Sequence, residues 1–210
     1  MFELVIRALC DTCPRTVDAA YLYAQTPDNQ ASVLFKGRQL LTQGIAPRLM
    51  FAQTGERSGY LGYNVWEQQL LAWGIPKTSL EGVEVSYDVI LHTLSESEAM
   101  IAKARQQNYQ TLLVVAPPFH LPRAFMAAIT AALRIYPEIR LYSQPGEALP
   151  WLGEAVHSQG NQKALRKDLI EGEEKRIAKY QKRDDLASFA DVLQYLNNRD
   201  ANQNESHLVN

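Results

Sequence analysis

The stretch VVAPPFHLPRAF, residues 114 to 125, places His120 and Arg123 directly after an apolar run closed by Pro117 and Pro118. A ring that titrates near neutral pH and a cation that stays charged, three residues apart at a helix start, suit proton transfer and anion binding. A purely structural alternative stands beside this: His120 caps the helix and Arg123 pairs with a surface carboxylate.

Further candidates sit after other apolar runs. Gln53, Thr54 and Gly55 follow a short strand-like segment, and a glycine-rich loop continues through Gly59 and Gly62. That spacing matches neither of the common phosphate-binding glycine patterns, so a lid and a phosphate cradle are both open readings. Glu67, on the following helical segment, could turn a carboxylate toward the site. His92 and Glu96 share an i, i+4 spacing that metal ligands use, but no third ligand stands at a diagnostic distance, which favours helix capping. Ser95 through Glu98 fits the S-x-x-E capping box. Neither a G-x-S-x-G elbow nor an HExxH pair occurs, so serine-hydrolase and zincin readings lack support. The one C-x-x-C, Cys10 to Cys13, runs into Pro14 with no convincing strand before it, and is read as incidental thiols near a mobile terminus.

Elements that could position these groups alternate along the chain. Strand-like runs cover 17–25, 48–53, 78–86, 110–117 and 138–144. Helical periodicity covers 29–44, 64–74 (with Asn64 as cap), 94–108 and 123–136. The run 110–117 is continuously apolar and β-branched, as expected of a strand covered on both faces. The pattern predicts an α/β fold: a three-layer Rossmann-like sandwich with a mostly parallel sheet and C-terminal helices. The expected organisation is an N-terminal segment (1–16), an α/β core (17–158), a helical extension (159–198) and a disordered polar tail (199–210). In such a sheet, ligands bind beyond the carboxyl ends of the strands, which is where His120, Arg123, Glu67 and the Thr54–Gly55 turn are expected to converge.

Composition narrows the function classes. A chain of 210 residues with formal net charge −2 and pI near 6.1 lacks the basic face of a nucleic-acid binder. No apolar stretch approaches the ~20 residues of a membrane span, and MFELVIRALC makes a poor signal peptide, so no membrane partner and a cytoplasmic location are expected.

In order, Asp18, GIAP (44–47), QTG (53–55), Glu67 before GIP (74–76), LSESEA (94–99) and PPFHLPRA (117–124) resemble the bacterial YdcF/SanA/ElyC-like family of unknown function. The matches cover roughly residues 17 to 185, and EGEEKRIAKYQKRDD is similar to the C-terminal helix of one branch. Gln25 and Thr26 stand where many relatives have glycines after the first strand, and Gln53-Thr54-Gly55 replaces the usual Ser-Gly. Ser95 occupies the threonine position of the family's Asn-Thr-x-x-Glu-Ala motif, with His92-Thr93 as the other register. The resemblance implies a Rossmann-like fold and, from one member, small-molecule or S-adenosylmethionine binding. Its links to the cell envelope belong to membrane-anchored members.

Together these readings predict an enzyme of hydrolase or transferase type acting on a small anionic or nucleotide-like metabolite. His120 would be acid or base, Glu67 or Glu98 would orient or polarise it, and Arg123 would hold the anion. Gln25, Thr26, Gln53, Thr54, Gly55, Thr93 and Ser95 complete the expected ligand-binding set. S-adenosylmethionine or a nucleotide is the expected cofactor class, with no metal. The alternatives are a binding module without turnover, and an interaction protein that dimerises through the C-terminal helices.

Overall fold

A computed structural model describes residues 1–86, 91–156 and 163–207, with side chains as far as residue 201. Its elements run α1 (Phe2–Leu9), β1 (Ala19–Leu22), α2 (Pro27–Thr42), β2 (Leu49–Gln53), α3 (Tyr63–Ala72), β3 (Leu80–Glu84), α4 (Thr93–Gln106), β4 (Thr111–Ala116) and α5 (Leu121–Ile135). There follow β5 (Arg140–Pro145), a small hairpin of β6 (Glu154–Val156) and β7 (Lys163–Leu165), α6 (Leu169–Gln181) and α7 (Phe189–His207). The five main strands form one parallel sheet in the order β3-β2-β1-β4-β5. The chain therefore builds outward from β1 on one side, then crosses back to add β4 and β5 on the other. The expected α/β class, Rossmann-like layering and parallel sheet are what the structure has.

Burial on both faces explains the apolar strands. Along β1, Ala19 and Tyr21 point into one core cluster and Ala20 and Leu22 into the other. Leu112 and Val114 of β4 face the first, Leu113 and Val115 the second, and all eight side chains are fully buried. Helices α1, α4 and α5 cover one face with Leu4, Met100, Ile101 and most of α5. Val33, Leu34, Trp66 and Leu70 of α2 and α3 cover the other. Helix α5 carries five alanines between Ala124 and Ala132, all buried, which lets it lie close against its neighbours.

Several boundaries differ from the sequence reading. Pro27 opens α2 two residues early, because its missing N–H costs nothing in the first turn and Thr26 supplies the cap position. Asn64 is not a cap: α3 starts at Tyr63 after Gly62, whose φ of +95° only glycine adopts readily. A side chain there would also strike the Gly55 backbone, its Cβ lying 3.0 Å from the Gly55 carbonyl carbon. The capping box of α4 forms between His92 and Ser95 rather than Ser95 and Glu98. His92 Nδ1 accepts from the Ser95 amide, and Ser95 Oγ accepts from the His92 amide.

Both ends of the chain are more structured than expected. Residues 2–9 form a helix with Leu4 and Ala8 buried, so Cys10 and Cys13 follow a packed helix and are unbridged. Helix α7 continues to His207, where an unstructured tail from residue 199 was expected; residues 208–210 lie outside the described residues. The reason is Arg199. It is buried, pairs with Asp11 at 2.7 Å and donates to the Leu141 carbonyl. Polar composition alone hides such an anchor.

Candidate functional site

The sheet order fixes where a site can form. Strand order reverses between β1 and β4, so the loops leaving these two strands part to opposite faces and open a crevice at their carboxyl ends. Ala24 and Gln25 leave β1 there, and His120 and Arg123 leave β4 through the Pro117–Pro118 corner. A cavity of about 280 Å3 lies between them, lined also by Thr93 and Glu96 of α4 and by Arg176 and Lys179 of α6.

Its most ordered feature is a buried cluster of three charged or titratable side chains. Glu173 projects from α6 and grips Arg123 with both oxygens: Arg123 Nε donates to Oε2 at 2.5 Å and Nη2 to Oε1 at 3.1 Å. Oε2 also lies 2.9 Å from His120 Nδ1. Arg123 Nη1 donates to Thr93 Oγ1 at 2.6 Å. His120 Nδ1 lies 3.1 Å from Arg123 Nη2 as well, but a guanidinium can only donate. The shorter, charge-assisted contact to the carboxylate assigns the Nδ1 proton to the bond with Glu173, and the arginine contact is a close approach. In the neutral ring the lone pair is then on Nε2, the arrangement in which a carboxylate orients a general base.

Glu96 supplies a second buried carboxyl. Tyr21 Oη donates to its Oε1 at 3.0 Å and the Ala24 amide donates to the same atom at 2.7 Å. Oε2 takes no protein hydrogen bond among the described residues. Burial pushes the carboxyl up to about 7, against the opposing pull of the Ala24 amide, Tyr21 and Arg123. With Oε1 accepting twice, the proton of the neutral acid resides on Oε2. Tyr21 and Tyr23 pack edge to face beneath this floor, with Tyr23 Oη and Ser97 Oγ 2.5 Å apart, and burial drives both phenols far above their ordinary range.

Among the expected residues, the structure brings His120, Arg123, Thr93 and Gln25 together on the cavity wall. Thr26 is buried beside them, but its hydroxyl serves the Val156 carbonyl and Asn29, tying α2 to the β6–β7 hairpin. Ser95 is used in the α4 cap. Gln53 and Gly55 are exposed and Thr54 is buried, and none of the three lines the cavity. The loop they begin is a compact turn: Arg57 and Tyr60 exchange backbone hydrogen bonds and Tyr60 Oη donates to the Ala52 carbonyl. Ser58 and Tyr60 are its contribution to the wall.

Neither expected carboxylate converges on His120. Glu67 accepts from Tyr63 and pairs with Lys77 at 3.5 Å on the face served by β2. Glu98 is part exposed and pairs with Arg134 at 3.4 Å, because it lies two residues, or about 200°, around α4 from Glu96. The carboxylates in the site are Glu96 and Glu173. The sequence reading places the motif's threonine at Ser95 and so selects Glu98; the other register, with Thr93, puts Glu96 three residues after the threonine. Nothing short of the tertiary fold pointed to Glu173.

Among the described residues no group of three His, Cys, Asp or Glu side chains is arranged to hold a metal, and no helix is long and apolar enough to cross a membrane. No protein-family model matches the chain, and no curated protein matches its sequence.

Proposed function

We propose that this chain is an enzyme acting on a small anionic metabolite in the β1–β4 cavity. His120 is the acid–base ring, Glu173 its orienting carboxylate and Glu96 a second proton carrier. The ordered motifs shared with the YdcF-like family support placing the chain near that group. The observation that carries the functional reading is the buried His120–Glu173–Arg123 cluster beside a cavity at the strand-order reversal. Burying charge and a titratable ring together is costly for a structure, and clefts at strand ends are where enzymes do it. Arg123 has a different role from the one its position suggests. All three of its nitrogens are engaged internally, so it fixes Glu173 and Thr93 in place and is a positioning residue.

A cavity of this volume suits a ligand of mononucleotide size or smaller. A panel of phosphorylated, nucleotide and S-adenosyl compounds, read by thermal shift and then by product formation, tests the reading. His120→Asn then separates catalysis from binding. Turnover is expected to fall by roughly 10²-fold or more while the ligand-induced shift in Tm persists. Turnover unchanged by His120→Asn removes the ring from the chemistry, and a panel that moves neither Tm nor product removes the site.

A further inference from the structure

The cavity's cations show what kind of anion it takes, and this step rests on the reading of the cavity as the ligand site. We propose that the cavity selects a phosphate monoester, its phosphoryl group seated against Arg176, Lys179 and Arg183 and its uncharged end hydrogen-bonded to Glu96 on the opposite wall.

Arg123 is the first cation a ligand would be expected to use, yet Glu173 neutralises its charge and, with Thr93, takes one donor on each of its three nitrogens. An incoming anion must find most of its positive charge elsewhere. Helix α6 provides it. Glu173 fixes the rotation of this helix by reaching down to His120 and Arg123, and Ile177, one turn on, is buried. Positions 176, 179 and 180 are three and four residues apart from one another or from Glu173, so they share its side of the helix. Arg176, Lys179 and Tyr180 accordingly line the cavity, and Arg183, just past the helix end, continues the row.

These cations are poorly neutralised by the protein. Arg176 lies 3.8 Å from Glu173, whose oxygens are already committed to Arg123. Neither Lys179 nor Arg183 has a carboxylate within ion-pair distance among the described residues. Among the described residues, the lining on this side has one carboxylate, Asp185, against three cations. That excess of two positive charges is one that a phosphate monoester, with its charge of about −1.5 to −2 at neutral pH, comes close to balancing. A carboxylate brings one charge, and a sulfonium such as S-adenosylmethionine would bring a positive centre to a positive rim.

The other wall has the complementary chemistry. Glu96 presents Oε2 without a hydrogen-bond partner among the described residues, and as a neutral acid that atom donates to an oxygen or nitrogen acceptor. Tyr60 and Leu91 close the wall with apolar surface. A charged head at α6 and an uncharged polar end at α4 define the ligand's orientation as well as its class.

Calorimetric titration of the full chain with ribose 5-phosphate and AMP, each beside ribose and adenosine, tests this. The phosphorylated member of at least one pair is expected to bind about tenfold or more tightly, an advantage that shrinks at high salt. The double variant Lys179→Ala/Arg183→Ala changes exposed side chains and should fold normally. It is expected to erase that advantage while leaving the unphosphorylated partner within about twofold. Leu94→Trp, which adds bulk to the cavity wall, is expected to block every probe. Binding blocked by Leu94→Trp yet indifferent to the double variant overturns the phosphoryl seat and leaves the cavity reading standing. Binding indifferent to both variants overturns the two together. Equal binding of phosphorylated and unphosphorylated probes, or no binding of any phosphorylated probe, overturns the monoester class, while the cavity itself still answers to the wider panel.

Discussion

Glu173 Oε2 lies 2.9 Å from His120 Nδ1, although 53 residues separate the two in the chain. The ring comes from the core of the α/β fold and the carboxylate from a helix added after it. The pair is therefore assembled only when α6 is docked. Whatever holds α6 in place also holds the tautomer of His120.

Glu173→Ala tests that coupling. It leaves the buried Arg123 guanidinium without its counter-charge, a loss that typically costs about 3–5 kcal/mol. Urea unfolding is expected to show a drop of that order, and amide exchange should show α6 opening ahead of the sheet. A change under about 1 kcal/mol would mean that water replaces the carboxylate and the pair is not structural.

Glu96 gives stability a pH dependence with a definite sign. Its pKa is raised from 4.5 in the unfolded chain to about 7, chiefly by burial, with Tyr21, Tyr23, Tyr60 and Arg123 as the other ionisable groups acting on it or acted on by it. The native state therefore binds more protons than the unfolded state between these two values, and stability falls as pH rises through the window. The full loss is on the order of 3 kcal/mol above pH 7. Glu96→Gln keeps the acceptor for Tyr21 and Ala24 but cannot ionise. The stability difference between wild type and Glu96→Gln, measured by denaturant unfolding from pH 4.5 to 8, should shift in favour of the variant by that order. A difference that stays flat across the range would show that Glu96 titrates normally.

The glutamates show how far the sequence can be read. Strand and helix alternation, the parallel sheet and the placing of His120 and Arg123 follow from local patterns: a β-branched run, two prolines, a helix start. Choosing between Glu96 and Glu98 required the phase of α4, whose cap lies at His92, three residues before Ser95. Glu67 was misplaced because it follows β2, one strand away from the reversal, and strand order is set by contacts that no local pattern records. Glu173 and Arg199 were beyond reach for the same reason. Each looks like one more charge on a solvated helix until its partner arrives from elsewhere in the chain.

Charge removal at Glu67, Glu98 and Glu96 should separate accordingly. Glu67→Gln and Glu98→Gln alter part-exposed pairs with Lys77 and Arg134, and are expected to stay within about 0.5 kcal/mol of wild type and to keep its ligand response. Glu96→Gln is expected to lower turnover, since the amide nitrogen in place of Oε2 still donates a hydrogen bond but cannot transfer a proton. Turnover of a binding probe by the three variants, read beside thermal shift, ranks them. A larger response at Glu98 than at Glu96 would return the site to the other register.

The last prediction concerns the edge of the sheet. Strand β5 has one neighbour, β4, so its outer backbone groups would be open to pairing with another chain. Side chains close them instead. Tyr195 Oη accepts from the Leu141 amide and donates to the Ile139 carbonyl. Asp11 accepts from the Ser143 amide, and Arg199, held by Asp11, donates to the Leu141 carbonyl while its guanidinium stacks on Tyr142 at 4.5 Å. A chain ending at Asn198 keeps the apolar residues of α7 that pack on the core, Val192, Tyr195 and Leu196, but loses this arginine. Asp11 is then left as a buried carboxylate without its cation, at a cost of about 3 kcal/mol or more. The shortened chain is expected to unfold at lower urea and to associate with rising concentration, read by sedimentation. Arg199→Met, which retains volume without charge, should show the same trend, and Asp11→Asn combined with it should recover part of the loss. If the shortened chain matches the full one in both measurements, Tyr195 alone protects the edge and the Asp11–Arg199 pair has no part in it.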